Sequence, residues 1–281
     1  IMIGKQNITR KFMNGYLITS GCSFTAHCVE PNIAWPNHIL DWQVINCAEM
    51  ASGNSLISRN LIATIPHYVD KNPTVAVMWS NPNRFELFYN TESNNYDKIY
   101  KDMKDNGGFQ NQPYTGKWQT HETSNWVKSG GGFGHWEFDS KDLNNDMKTY
   151  LTTFHNEELQ FIQTLENILR IQWYCKAHNL KLINMCWQDI FTGNNNADGN
   201  NSSDHGELII NQFENAVHLW EQVDWKTWWF HHSPQQEWTS QYGGLKEWCI
   251  DNGYKQFPGS HPTTEAQQHF AKEIVERLLN D

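Results

Sequence analysis

Residues 15–25 read GYLITSGCSFT. Tyr16, Leu17 and Ile18 form a short apolar run of strand formers, and Thr19, Ser20 and Gly21 end it. Such a run, closed by a glycine, predicts a buried strand ending in a tight turn. An α/β sheet exposes its chemical groups at the C-terminal ends of its strands. Ser23 stands just past this one, with small neighbours that leave its hydroxyl accessible. A serine here also suits the N-cap of a following helix. Choosing between a nucleophile and a cap requires the rest of the chain.

Three further runs predict strands: 43–47 (QVINC), 74–79 (TVAVMW) and 180–186 (LKLINMC). The second is continuously apolar, as expected of a strand covered on both faces. Apolar residues at helical spacing predict helices over 55–69, broken near Pro66, and over 144–178 and 262–280. Shorter helices are expected at 35–42, started by Pro36, and at 243–253, stopped by Gly253. This alternation predicts an α/β fold with a mostly parallel sheet, helices on both faces and exit loops along one edge. Residues 1–281 read as one domain with insertions at about 87–140 and 193–242. The first is rich in Asn, Gly, Tyr and Trp, too long for an ordinary connection, and reads as a lid or substrate loop. The second carries Trp220, Trp225, Trp228, Trp229 and Trp238.

The chain has 281 residues, ample for a sizeable core, and a formal net charge of −10. With no basic tract to offset that charge, a nucleic-acid partner is not expected. No stretch is apolar for long enough to span a bilayer, and IMIGKQNITRKFMNG at the N-terminus lacks the apolar centre of a secretory signal. The six cysteines (Cys22, Cys28, Cys47, Cys175, Cys186, Cys249) show no CxxC spacing and read as reduced, buried thiols, which suggests the cytoplasm.

Acyl transfer by a hydroxyl needs a base and donors for the developing oxyanion. Ser23 and His261, the latter in SHPTTEA just before the last predicted helix, supply the first pair. The Ser23 and Gly53 backbone N–H groups and the Asn81 amide are candidates for the second. Asn54 and Arg84 lie in the same predicted exit loops as candidate substrate contacts, Arg84 by a bidentate fork to a carboxylate or phosphate or else as an ion pair with Glu86.

Four blocks, in order, resemble those of the SGNH hydrolase superfamily, the GDSL-like esterases. SGCSFT resembles the nucleophile block, MASGNS places Gly53 at the second-block glycine, WSN places Asn81 at the third-block asparagine, and GSHPTTEA places His261 at the histidine. The resemblance implies a flavodoxin-like three-layer α/β/α sandwich with a five-stranded parallel sheet. It implies ester hydrolysis through an acyl-enzyme, with Ser23 as nucleophile, His261 as base and then acid, and no metal or organic cofactor. A small acyl ester is the expected substrate, with an acetylated carbohydrate as the candidate. The alternative is a non-catalytic glycan-binding or interaction module that retains the fold.

Two departures stand out. Trp79 occupies the usual glycine of the third block, which makes Ser80 and Asn83 rival donors to Asn81. The aspartate three residues before the histidine is replaced by Pro258, and Gly259 is not acidic either. That aspartate fixes the histidine tautomer; a backbone carbonyl, a water, Asp189 or Asp251 is the candidate replacement. His27 reads as a surface histidine or a support for Ser23, and Cys22 as a thiol facing away from Ser23. His231 and His232, with His205 or His121, lack the spacing of a metal motif, so no metal is expected. Trp228 and Trp229 are candidates for a sugar platform, against the commoner use of tryptophan in packing.

Overall fold

The computed structural model describes residues 14–26, 33–50, 52–88, 126–129, 149–150, 153–154, 156–191, 209–232, 243–256 and 261–281. It is a mixed α/β structure built on a parallel sheet. The chain forms β1 (Tyr16–Ser20), β2 (Gln43–Asn46), α1 (Asn54–Thr64) and β3 (Thr74–Trp79). Then come β4 (Phe85–Phe88) and β5 (Trp126–Ser129), α2 (Glu157–Ala177) and β6 (Leu182–Cys186). The short helix α3 (Val217–Trp220) precedes α4 (Leu245–Asp251). Helix α5 (Thr264–Phe270) runs through a π-helical turn, Ala271–Val275, into α6 (Glu276–Asn280).

Strands β2, β1, β3 and β6 pair in that order, all parallel. Their side chains alternate between two cores. Ile18, Val75, Val77, Trp79 and Leu182 pack with Ile57 and Leu61 of α1 and Phe161, Leu165 and Ile168 of α2. Leu17, Ala76, Met78, Ile183 and Met185 pack with Trp248 of α4, Phe270 of α5 and Leu279 of α6. Period-2 alternation sends neighbouring residues to opposite faces, so both faces are apolar and both are covered by helices. Asn184, a buried polar residue on β6, is satisfied: it accepts from Trp79 Nε1 at 2.8 Å and donates to Thr227 Oγ1 at 2.9 Å.

Four strands, not five, make up the sheet among the described residues. At the position of a fifth, beside β6, there is a single parallel bridge between Asn184 and Trp228, with the Trp229 N–H donating to Asn184 O at 2.9 Å. That segment still behaves like a strand. Trp228 packs against one core and Trp229, buried, joins the other. Trp220, Trp225 and Trp228 surround Phe191 edge-on. The Trp228–Trp229 pair is therefore packing and not an open sugar platform.

A second difference lies in the first insertion. Residues 85–88 and 126–129, for which the sequence predicts no strand, form the antiparallel pair β4–β5. The rest of 89–148 lies outside the described residues. Within the span 144–178 predicted to be helical, Thr149, Tyr150 and Thr153 are helical, with the Phe154 N–H donating to Tyr150 O at 2.8 Å, and α2 starts after Asn156, whose side chain caps it by accepting the Leu159 N–H at 3.1 Å. No helix among the described residues is long and apolar enough to cross a membrane.

Candidate active site

The chain leaves β1 for β2 on one side and returns with β3 on the other. That reversal opens a crevice above the C-terminal ends of β1 and β3, where open α/β sheets bind ligands. Register pairs Ser20 with Val77, so the exits carrying Ser23 and Asn81 leave neighbouring strands at the same edge.

The exit from β1 turns at once. Thr25 and Ala26 N–H groups both donate to Cys22 O at 2.9 Å, a single helical turn with Ser23 in it. Gly21 is required for close approach: a Cβ there would lie 2.3 Å from Thr25 Oγ1 and 3.0 Å from Met78 O. His261 reaches this turn from the other end of the chain, and its Nε2 lies 2.7 Å from Ser23 Oγ. The ring is held flat. It stacks on Phe24 at 4.5 Å and 14°, and Phe24 stacks in turn on Trp187 at 4.4 Å. Thr263 caps α5 by accepting the Ala266 N–H at 3.3 Å, which fixes where the helix starts relative to His261.

Gln267 went unnoticed in the sequence. Buried on α5, it accepts the Trp35 N–H at 3.1 Å and donates to Phe24 O at 3.4 Å. It thereby ties the helix after His261 to the turn after Ser23. A glutamine on the apolar face of an amphipathic helix was the only signal.

The expected oxyanion donors fare differently. Asn81 is buried, and its Oδ1 accepts the Asn83 N–H at 2.8 Å. This Asx turn assigns the oxygen and leaves Nδ2 as the donor end, for which no described residue provides an acceptor. Asn83 is thus the partner of Asn81 and not its replacement. The Gly53 N–H is committed elsewhere: it donates to Glu86 Oε1 at 2.7 Å. The glycine serves close approach instead, since a Cβ would fall 2.4 Å from Arg84 O. Asn54, expected as a substrate contact, is buried and fully used. It accepts the Ser80 N–H at 2.8 Å and donates to Ser80 O and Thr164 Oγ1, both at 3.0 Å. It clamps the β3 exit.

Glu86 also faces Arg59, with Oε2 3.7 Å from Nη2. Arg84 is buried with its guanidinium 5.7 Å above the Trp187 ring. Arg59, Arg84, Glu86, Tyr150 and Gln163 line a polar cavity of about 250 Å³ between α1, α2 and the β3–β4 loop. Ser23 and His261 are not in its wall.

Of the two guessed acids, Asp251 is engaged with His231 and His232, and Asp189 Oδ1 accepts the Phe191 N–H at 2.9 Å. His27, Pro258 and Gly259 lie outside the described residues. At the start of α4, the Glu247 side chain reaches back to accept the Gly244 N–H at 2.7 Å, one half of a capping box, since Gly244 has no side chain to supply the other. Burial raises its pKa above the ordinary glutamate value, and the charge of Asp189 adds to this, while backbone N–H donors oppose it.

Comparison with protein-family models and with curated proteins finds no match for the chain.

Proposed function

We propose that this protein is a serine hydrolase that cleaves a small acyl ester through an acyl-enzyme. The observation that carries the reading is the 2.7 Å contact between Ser23 Oγ and His261 Nε2. Two side chains 238 positions apart meet at the one sheet edge where such folds do chemistry. A serine that merely capped a helix would need no imidazole. The parallel sheet with its β1–β3 crevice supports the finer reading of an SGNH-type, flavodoxin-like α/β/α sandwich. The four strands, rather than five, among the described residues depart from it.

In this mechanism His261 takes the Ser23 proton as the oxygen attacks the ester carbonyl, then returns it to the departing alcohol. The Ser23 N–H and Asn81 Nδ2 stabilise the oxyanion. The Gly53 N–H, held by Glu86, is not counted among these donors. For Nε2 to accept the proton, Nδ1 must carry one, and the aspartate that usually secures this is not at Pro258 or Gly259. Removing the aspartate from a triad built around it costs up to ~10⁴-fold, and the acceptor at His261 Nδ1 sets where below a complete triad this site falls. Arg84, beside Trp187 and the polar cavity, remains the candidate contact for an anionic part of the substrate. The Trp228–Trp229 pair, packed against the two cores, lends no support to an acetylated carbohydrate as the substrate.

Labelling with a fluorophosphonate and hydrolysis of p-nitrophenyl acetate test the proposal. Wild type is expected to label and to turn over slowly, and Ser23→Ala and His261→Ala to lose both. Equal labelling of wild type and Ser23→Ala would refute it.

A further inference from the structure

The segment after the Trp228 bridge ends in His231 and His232, and both imidazoles turn to the same carboxylate. His231 Nε2 lies 2.9 Å from Asp251 Oδ2 and His232 Nε2 lies 3.2 Å from the same oxygen. We propose that His231, His232 and Asp251 form a binding site for a first-row divalent transition-metal ion such as Zn²⁺. This site is independent of the esterase reading.

Consecutive residues in extended chain point to opposite sides, so convergence of both rings requires a built corner. Gly243 backs it. Its φ of +59° is open to glycine at little cost, and a Cβ there would sit 3.2 Å from His231 Cβ and 3.3 Å from His232 Cδ2. Its carbonyl also accepts the His231 N–H at 3.4 Å. The rings lie 4.3 Å apart between centroids. The third donor comes from the last residue of α4. That helix is docked on the sheet by the Lys246 N–H donating to Trp187 O at 2.8 Å and by Gly244 packed against Cys186 O. The histidine segment is docked on β6 through the Trp229 N–H. Both halves of the site therefore rest on the same strand.

The spacings suit a small cation. With metal–nitrogen and metal–oxygen bonds of about 2.0–2.2 Å, ligand atoms at tetrahedral to octahedral angles lie roughly 2.9–3.4 Å apart. Both His–Asp separations fall in that range. The three ligand atoms lie within 4.8 Å of one another, so a small rotation of the exposed His232 ring brings the two nitrogens to the same spacing. Two imidazoles and one carboxylate favour Zn²⁺, Ni²⁺, Co²⁺ or Cu²⁺ over Mg²⁺ or Ca²⁺. With the His232 and Asp251 side chains 43% and 49% exposed, the remaining coordination positions face solvent and take water. Sequence spacing does not betray the site, because Asp251 is supplied by the fold, 20 residues away.

The test is metal binding by the full-length, chelator-stripped chain. Zn²⁺ affinity is read by competition with a chromophoric chelator, and Co²⁺ coordination by its visible d–d absorption. Wild type is expected to bind one ion per chain at this site. Asp251→Asn and His232→Ala are expected to weaken binding by about tenfold or more and to lose the Co²⁺ band. His269→Ala, which breaks the His269–Glu273 pair on the last helix, serves as the control and is expected to bind as wild type. Circular dichroism verifies folding, and if Asp251→Asn unfolds, His232→Ala, on an exposed side chain, carries the test. Binding by the folded variants equal to wild type, or no Co²⁺ band in wild type, overturns the proposal and leaves a pair of hydrogen bonds to one carboxylate. Ester hydrolysis is not a readout, so failure of the esterase reading leaves this test intact.

Discussion

Asn81 spends its Oδ1 on the Asn83 N–H, and that one bond decides what the side chain can do. An amide held by its oxygen presents its nitrogen, a donor fixed before any substrate arrives. Preorganised donors stabilise a developing oxyanion without reorganisation cost, and removing one typically lowers kcat by about 10²–10³. Asn81→Ala is expected to lose turnover on that scale while Ser23 still labels, more slowly, with fluorophosphonate. Asn81→Asp keeps the Asx turn but replaces the donor with a charge that repels the oxyanion, so it should be at least as impaired. If Asn81→Ala turns over p-nitrophenyl acetate like wild type, Asn81 is only a turn residue.

Asn54 shows how α1 positions a loop it does not belong to. Its amide closes both backbone groups of Ser80 and reaches Thr164 on α2, joining the β3 exit, α1 and α2 at a buried point. Replacing it with alanine leaves the Ser80 N–H and C=O buried without partners, at about 1–3 kcal/mol for each unsatisfied group. Asn54→Ala is therefore expected to lose about 2–6 kcal/mol in urea denaturation. A loss of under about 0.5 kcal/mol, the usual range for a surface site, would show that water or a shift of the loop replaces the clamp. Such ties explain what could be read from the chain alone. β1, β3 and β6 were legible because apolar runs are local, Ser23 because its block follows the first of them, and His261 because SHPTTEA precedes an amphipathic helical pattern. The roles of Gly53 and Asn54 were not, since Gly53→Glu86 and Asn54→Ser80 are decided by three-dimensional neighbours 33 and 26 positions away. β4 and β5 were missed because their pairing partner lies across a long insertion of turn-forming composition.

Both faces of the sheet being sealed has consequences across the molecule. Burial pushes the Cys47 thiol up to about 11 and those of Cys175 and Cys249 up to about 12. At pH 8 none of the three holds appreciable thiolate, the reactive form. Peptide mapping after iodoacetamide treatment should find them unmodified in native protein and alkylated in urea; native alkylation would mean that the cores open readily. Glu247 gives the opposite kind of evidence, a buried charge that the fold tolerates at a cost. Its folded pKa is raised above the ordinary glutamate value of 4.5, chiefly by desolvation. Between 4.5 and the folded value, the folded state holds more protons than the unfolded one, so stability falls as pH rises through that window. Above it the full cost persists; below 4.5 it vanishes. Glu247→Gln keeps an oxygen to accept the Gly244 N–H and does not titrate. The variant's stability relative to wild type should therefore climb as pH rises from 4.5 and then level off. Urea denaturation of both proteins at intervals from pH 4.5 to 7.5 measures that difference directly. A difference that stays constant, or shrinks with rising pH, would mean that the backbone donors at Gly244, Glu247 and Asp189 outweigh desolvation and that the buried carboxylate is stabilised as an anion.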